Sequence, residues 1–210
     1  MKLIHWLKRY KAYLYPEGMQ EDHLLWKAYL DGDKTSFETI YTRYHRNLYE
    51  YGMRKWGDED LVRDGLQDLF VRLWVNRGRI GPTDNIKYYL IAALRNALIN
   101  ASIQQDKRRA AEVGEEPFEL AYPEPGASAS GDRQARLVAA LDQLTGRQKE
   151  VIYLRYFEDL SYEQIASLMD ISVKGIYKLH YRALDALKDI LGISRQDLLL
   201  LLAMCKVIFS

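Results

Sequence analysis

The chain contains a single cysteine, Cys205, among 210 residues. An intramolecular disulfide is therefore excluded, and the composition fits a reducing compartment. The four histidines are scattered, and none has a partner at the spacing of metal ligands. The longest apolar run, residues 198–209, is shorter than the roughly 20 residues that span a bilayer, and the amino terminus lacks a cleavable apolar signal. We therefore expect a soluble cytoplasmic protein that holds no metal ion or other cofactor.

Sequence patterns typical of catalysis are also missing. Gly52, Gly57 and Gly65 stand singly in helical sequence and form no glycine-rich phosphate loop. The carboxylates are dispersed, and no serine or cysteine lies in a nucleophile motif. We predict that the protein is not an enzyme and has no small-molecule substrate, so its function is binding.

Charge is nearly balanced overall, at +1, but it is distributed unevenly. Residues 110–131 contain five acidic residues and no Lys or Arg, and they are rich in Pro, Gly, Ser and Ala without any periodicity. This composition indicates a flexible acidic linker. It predicts a first domain over residues 1–109 and a second over residues 132–210.

Apolar residues recur at helical spacing through both halves, and no alternating strand pattern persists. In the first half the spacing predicts helices over 22–31, 34–55, 59–76 and 86–105. In the second half, Thr145 begins a helix with a capping box to Gln148. The prediction is an all-α protein of two helical domains. The apolar tail is expected to form a last helix, capped at Ser194, that packs on its own domain; the alternative is that it joins a second copy of the chain or a protein partner.

The second domain contains the most informative segment, residues 161–187, SYEQIASLMDISVKGIYKLHYRALDAL. Ser161 and Gln164 form a capping box for one short helix, and Ser172 caps a second helix after a three-residue turn. Ile176 and Ala183 are on its predicted inner face. Its outer face carries, at spacings i, i+3, i+4 and i+7, the residues Lys174, Tyr177, Lys178 and Tyr181. This layout is typical of a helix-turn-helix that reads the DNA major groove; the alternative is a helical hairpin with a solvated face.

Two helices of the first half present further candidate surfaces. Residues 59–76 carry a polar face with one apolar member, which suits docking to a protein; it consists of Asp64, Gln67, Asp68 and Val71. Residues 86–105 carry side chains that can read bases or hold phosphates, and a basic segment follows; these are Arg95, Asn96, Asn100, Lys107 and Arg108. The alternatives are a solvated face and a basic terminus favoured by the helix dipole.

Three stretches together resemble ECF (extracytoplasmic function) sigma factors of bacterial RNA polymerase. RDGLQDLFVRLWVNR is similar to the helix that binds the polymerase clamp, and IKYYLIAALRNALINASIQQDKRR to the helices that read the promoter −10 element. Residues 141–191 resemble the domain that binds the −35 element. The resemblance covers about residues 24–192, and the order of the motifs around a short linker is more specific than any one of them.

The resemblance implies a transcription initiation factor whose partners are core RNA polymerase and promoter DNA. Polymerase would be bound by Asp64, Gln67, Asp68 and Val71. The −10 element would be bound by the loop at 77–85 and the following helix, through Arg77, Arg79, Arg95, Asn96, Asn100, Lys107 and Arg108. The −35 element would be bound by Lys174, Tyr177, Lys178 and Tyr181, with Arg182 on phosphate. The acidic linker is similar to a segment that runs through the RNA path of polymerase in this family.

The segments QDLFVRLW and TDNIKYYL resemble the branch of the family found in Bacteroidetes. Its members are often paired with membrane-bound anti-sigma factors, so an anti-sigma factor is a further expected partner. A rival hypothesis is a free-standing helix-turn-helix repressor or activator with a helical sensor domain. It accounts for the second domain, but it leaves the partner-docking face and the second nucleic-acid-like helix of the first domain without a role. A helical scaffold that never touches DNA would leave the face from Lys174 to Tyr181 unexplained.

Overall fold

The structure is a computed structural model that describes residues 18–106, 118–119 and 129–209. All regular elements in these ranges are helical, as predicted. We number the α-helices α1 (Gly18–Leu30), α2 (Lys34–Trp56), α3 (Glu59–Asn76), α4 (Ile86–Asp106), α5 (Ala129–Asp142), α6 (Gly146–Tyr156), α7 (Tyr162–Met169), α8 (Val173–Leu191) and α9 (Arg195–Phe209). A short 3-10 helix, Arg77–Arg79, follows α3 directly. None of the described helices is both long enough and apolar enough to cross a membrane.

The described residues fall into two compact units. The first contains α1, α2 up to Met53, α3 and α4, and the second contains residues 54–57 and the described residues from Phe118 onward. Most of the predicted linker, 110–131, lies outside the described residues. Of the linker residues that are described, those from Ala129 onward already belong to α5. Phe118 is buried, and its ring lies 5.6 Å from that of Tyr153 in the second unit.

The first unit is built around closely packed helices. Tyr29 in α1 is buried and donates a hydrogen bond from its hydroxyl to the carbonyl of Leu73 in α3, at 2.6 Å. Helices α3 and α4 approach closely at Gly65, where an added Cβ would lie only 2.5 Å from Cδ2 of Leu98. Leu98 is fully buried, so its side chain has little room to move. Glycine at position 65 therefore sets the distance between these two helices.

A loop between the 3-10 helix and α4 is tied to this core at both ends. The indole of the buried Trp26 donates a hydrogen bond to the carbonyl of Gly81, at 3.0 Å. At the end of the loop, the side chain of Asn85 accepts a hydrogen bond from the backbone of Tyr88, at 2.8 Å, and so caps α4. The loop proposed to meet DNA is thus held in place without DNA.

In the second unit, α8 is the central helix and contacts α5, α6, α7 and α9. The predicted capping boxes at Thr145 and Ser161 are both present, and Ser172 caps α8 through the backbone of Gly175. The turn between α7 and α8 has three residues and begins at Asp170, which adopts a left-handed conformation with φ 53°. Aspartate tolerates this conformation better than most residues. The helix-turn-helix therefore has the local structure that its sequence predicts.

The apolar tail forms α9, which packs on α8 as predicted. The backbone of Asp197 donates a hydrogen bond to the hydroxyl of Ser194, at 3.2 Å, so Ser194 is the predicted cap. Leu198 and Leu202 are fully buried, whereas Leu200 is half exposed. Burying each leucine contributes about 1.5–3 kcal/mol, and the tail is thus part of the core of the second unit.

Candidate functional site

Helix α8 separates a buried face from an exposed one. Ile176, Ala183 and Leu187 are fully buried. All five residues predicted to contact the −35 element are exposed on the other side: Lys174, Tyr177, Lys178, Tyr181 and Arg182. Tyr177 and Tyr181 expose 39% and 49% of their surface. The structure therefore brings the predicted DNA-reading residues together on one accessible surface.

Tyr177 is held by a neighbour from the preceding helix. Its ring lies 4.1 Å from that of Tyr162, with an angle of 33° between the ring planes. The guanidinium of Arg155 lies 4.9 Å from the Tyr162 ring and donates a hydrogen bond to the carbonyl of Leu160, at 2.8 Å. Stacking and cation–π contacts of this kind each contribute about 0.5–1.5 kcal/mol. The orientation of Tyr177 is thus fixed by α6 and α7.

Sequence reasoning missed the role of His180. The side chain is buried beneath the exposed face, with Nε2 3.1 Å from the hydroxyl of Tyr156 and Nδ1 3.2 Å from that of Tyr162. Burial, reinforced by the positive charges of Arg155 and Arg195, lowers the pKa of His180 from 6.5 to about 4. A neutral imidazole has one donor and one acceptor nitrogen, so one tyrosine donates to the ring and the other accepts from it. The sequence contained a signal for this burial: His180 follows Ile176 by four residues, so both lie on the inner face of the helix.

Helix α3 exposes the four residues predicted to bind polymerase: Asp64, Gln67, Asp68 and Val71. Val71 is 54% exposed. Nη2 of Arg72, four residues farther along the helix, lies 3.5 Å from the carboxylate of Asp68. Both side chains are largely exposed, so this pair adds little stability. The face therefore presents acidic, amide and apolar groups to solvent.

A groove of about 550 Å³ runs beside this face, between α2 and α3. It is lined by Tyr41, His45, Tyr49, Arg63, Leu66, Gln67 and Phe70. Gln67 belongs both to the groove and to the polar face of α3. The rings of Tyr41 and Phe70 are 4.8 Å apart and form its apolar floor.

The residues predicted to contact the −10 element are not all equivalent. Arg77 is only partly exposed, because its guanidinium stacks 4.4 Å from the Trp74 ring and donates a hydrogen bond to the Trp74 carbonyl, at 2.8 Å. Arg79, Asn96 and Asn100 are exposed. The structure thus gives Arg77 a local structural contact and leaves the two asparagines on one accessible side of α4.

Arg95 is half buried, and its Nε has no hydrogen-bond partner among the described residues. The last two predicted residues of this set, Lys107 and Arg108, lie outside the described residues. No group of three or more potential metal-ligating side chains occurs in the described part of the chain.

Comparison with known families identifies the two units. Residues 40–108 match the model for sigma-70 region 2, and residues 134–187 match the model for sigma-70 region 4. The chain is an ECF-type RNA polymerase sigma factor. It directs transcription initiation by RNA polymerase, and members of this family are not enzymes. The predictions of the family, the function and the helical fold class are confirmed.

Curated relatives of this sigma factor are similar over most of their length. It is 24% identical over 170 residues to the ECF RNA polymerase sigma factor SigX of Bacillus subtilis, covering 78% of this chain and 88% of SigX. It is 26% identical over 168 residues to the RNA polymerase sigma factor CarQ of Myxococcus xanthus, covering 79% of this chain and 95% of CarQ.

Solved structures show the same fold. The sigma factor RpoE, solved in complex with the anti-sigma factor NepR from Bartonella quintana, matches with a TM-score of 0.53 and 21% identity, covering 75% of this chain and 98% of RpoE. CnrH, solved in complex with the cytosolic domain of CnrY, matches with a TM-score of 0.50 and 23% identity, covering 81% of this chain and 97% of CnrH.

Proposed function

We propose that α8 reads the promoter −35 element from the major groove. The observation that carries this proposal is the set of five polar and aromatic side chains exposed on one side of a helix whose opposite side is buried. Lys174 and Lys178 have donors suited to the acceptor-rich edges of guanine. Tyr177 and Tyr181 offer apolar contact and hydroxyl groups. Arg182, farther along the helix, is assigned to a DNA phosphate.

The polymerase-binding surface is assigned to the exposed face of α3. Asp64 and Asp68 supply negative charge, Gln67 supplies donors and acceptors, and Val71 supplies apolar area. This combination suits a basic partner with a small apolar patch. The neighbouring groove supports the assignment, because Gln67 joins the two features into one continuous surface.

The −10 element is assigned to the loop at 77–85 and the polar side of α4. Asn96 and Asn100 are one helical turn apart and exposed, and asparagine can pair with the edge of an unstacked or paired base. Arg79 and Arg95 supply positive charge. Arg77 is assigned the different role of bracing the loop against Trp74. Lys107 and Arg108, which lie outside the described residues, are included in this assignment for their positive charge.

Control of this sigma factor is assigned to an anti-sigma protein. RpoE was solved in complex with the anti-sigma factor NepR, and CnrH in complex with the cytosolic domain of CnrY. These complexes support a similar partner here. The likeness of QDLFVRLW and TDNIKYYL to the Bacteroidetes branch favours a membrane-bound one. We assign residues 1–109 and 132–210 to the two functional domains, with 110–131 between them.

Reconstitution with core RNA polymerase tests the proposal. The full chain is mixed with core polymerase, and the mixture is tested for co-elution and for discrete transcripts from a pool of DNA fragments of randomised sequence. We expect both, together with weak DNA binding by the chain alone. The rival, a free-standing repressor or activator, predicts the opposite: tight DNA binding without polymerase and no co-elution. That outcome would refute the proposed surfaces on α3 and α4.

A further inference from the structure

The tail helix α9 begins beside the proposed DNA-reading face. It lies outside residues 134–187, which match the region 4 model. Because Leu198 and Leu202 are buried in the contact of α9 with the rest of the unit, its position relative to α8 is fixed. The hydroxyl of Ser194 caps its first turn. The first helical residue is Arg195, whose guanidinium is thereby held near α8.

Arg195 stacks on a residue of the reading face. Its guanidinium carbon lies 4.8 Å from the ring centroid of Tyr181, and both side chains are exposed. Arg195 forms no ion pair in the described part of the chain. A stacked guanidinium keeps the N–H donors at its edge available. Two of these donors can form a bidentate contact with one phosphate. Its position at the start of α9 does not stabilise that helix, because the helix dipole favours anions there.

We propose that Arg195 binds a phosphate of the promoter DNA beside the −35 element. A helix in the major groove has a phosphate backbone on each side. Arg182 and Arg195 together then fasten α8 to the phosphate backbone, and Tyr181 is directed at the base edges. The tail helix thus becomes part of the DNA-binding surface. This inference rests on the proposed role of α8.

The test measures the salt dependence of promoter binding by the holoenzyme. The holoenzyme is reconstituted from core polymerase and the full chain, and the probe is a promoter fragment selected by the wild-type holoenzyme from randomised DNA. Each phosphate contact contributes about 0.9 to the slope of log affinity against log salt. Between about 50 and 200 mM salt, wild-type affinity should therefore fall about 3.5-fold more than that of Arg195→Gln. Arg195→Lys keeps the positive charge and should keep the wild-type slope.

Two control variants make the result specific. Arg136→Gln removes an exposed arginine from α5 in the same unit and should leave the slope unchanged. Arg182→Ala removes the phosphate contact that is already proposed. Because Arg195 is exposed and loses only its contact with Tyr181, its glutamine variant should remain folded at the temperature of the binding assay, and circular dichroism checks this.

Each outcome decides the question. If Arg195→Gln weakens binding without changing the slope, Arg195 only braces Tyr181 and the inference is overturned. The same holds if affinity and slope are both unchanged while Arg182→Ala loses slope. If neither variant alters binding, the proposed role of α8 fails together with the inference.

Discussion

Stability of the second unit should depend on pH through His180. The folded state lowers the pKa of this imidazole from 6.5 to about 4, mainly through burial. Folded protein therefore binds the proton less readily than unfolded protein does. The contribution of neutral His180 is fully present above pH 6.5 and is lost as the pH falls toward 4.

The magnitude follows from the two pKa values. Each unit of difference corresponds to about 1.4 kcal/mol. Between pH 7.5 and 4.5 the free energy of unfolding of the second unit should fall by about 2–3 kcal/mol on account of His180 alone. This is a large fraction of the stability of a small domain, which is about 5–15 kcal/mol.

The assay is urea unfolding of the full chain at several pH values, followed by circular dichroism. The comparison is with His180→Gln, which can still donate and accept hydrogen bonds but cannot take up a proton. Carboxylates titrate in both proteins, so the difference between the two curves isolates His180. The transition of the first unit, which does not contain His180, serves as an internal control. A difference between the two proteins that stays constant from pH 7.5 to 4.5 would refute the reasoning.

Four further predictions concern other parts of the chain. Asp68→Lys should weaken co-elution with core polymerase and change stability by only about 0.5 kcal/mol, since the side chain is exposed; unchanged co-elution would remove α3 as the docking face. Lys174→Ala should weaken binding to the preferred −35 sequence by about 1–3 kcal/mol and binding to other sequences little. If a binding assay shows equal losses of affinity on all promoters, Lys174 contacts only a phosphate. Gly65→Ala should lower the free energy of unfolding by about 1 kcal/mol, because the strain against a buried leucine, about 1–3 kcal/mol, exceeds the gain of about 1 kcal/mol in helix propensity; a higher free energy of unfolding, measured by chemical denaturation, would contradict the close packing. Deletion after Gly192 should lower the unfolding temperature without changing the oligomeric state, measured by light scattering; conversion of a dimer to a stable monomer would instead show that the tail forms an interface.

The sequence predicted those features that depend on neighbours along the chain. The capping box at Ser161, the turn at Asp170 and the exposed stripe on α8 all involve residues within one or two helical turns, so periodicity and cap chemistry suffice to find them. The position of the tail helix was also predictable, because an apolar run must be covered.

Features that depend on distant residues could not be read in this way. Tyr156 and His180 are 24 residues apart, and only the packing of α6 against α8 brings them together. The groove at Gln67 requires the neighbouring helix α2 as its other wall. The burial of Phe118 is a further case, because its segment has the composition of a linker and no periodicity that marks a buried residue.

Stacking of Tyr177 on Tyr162 has a consequence for the entropy of binding. A side chain that is mobile before DNA arrives must lose its rotational freedom on binding, which costs about 0.5–1.5 kcal/mol. Tyr177 has lost part of that freedom already on folding, since its ring stacks 4.1 Å from that of Tyr162. Turning the ring aside for a base step that does not fit it would break this contact. Promoters with an unsuitable step at this position should therefore be bound less tightly by about the free energy of the contact, about 0.5–1.5 kcal/mol.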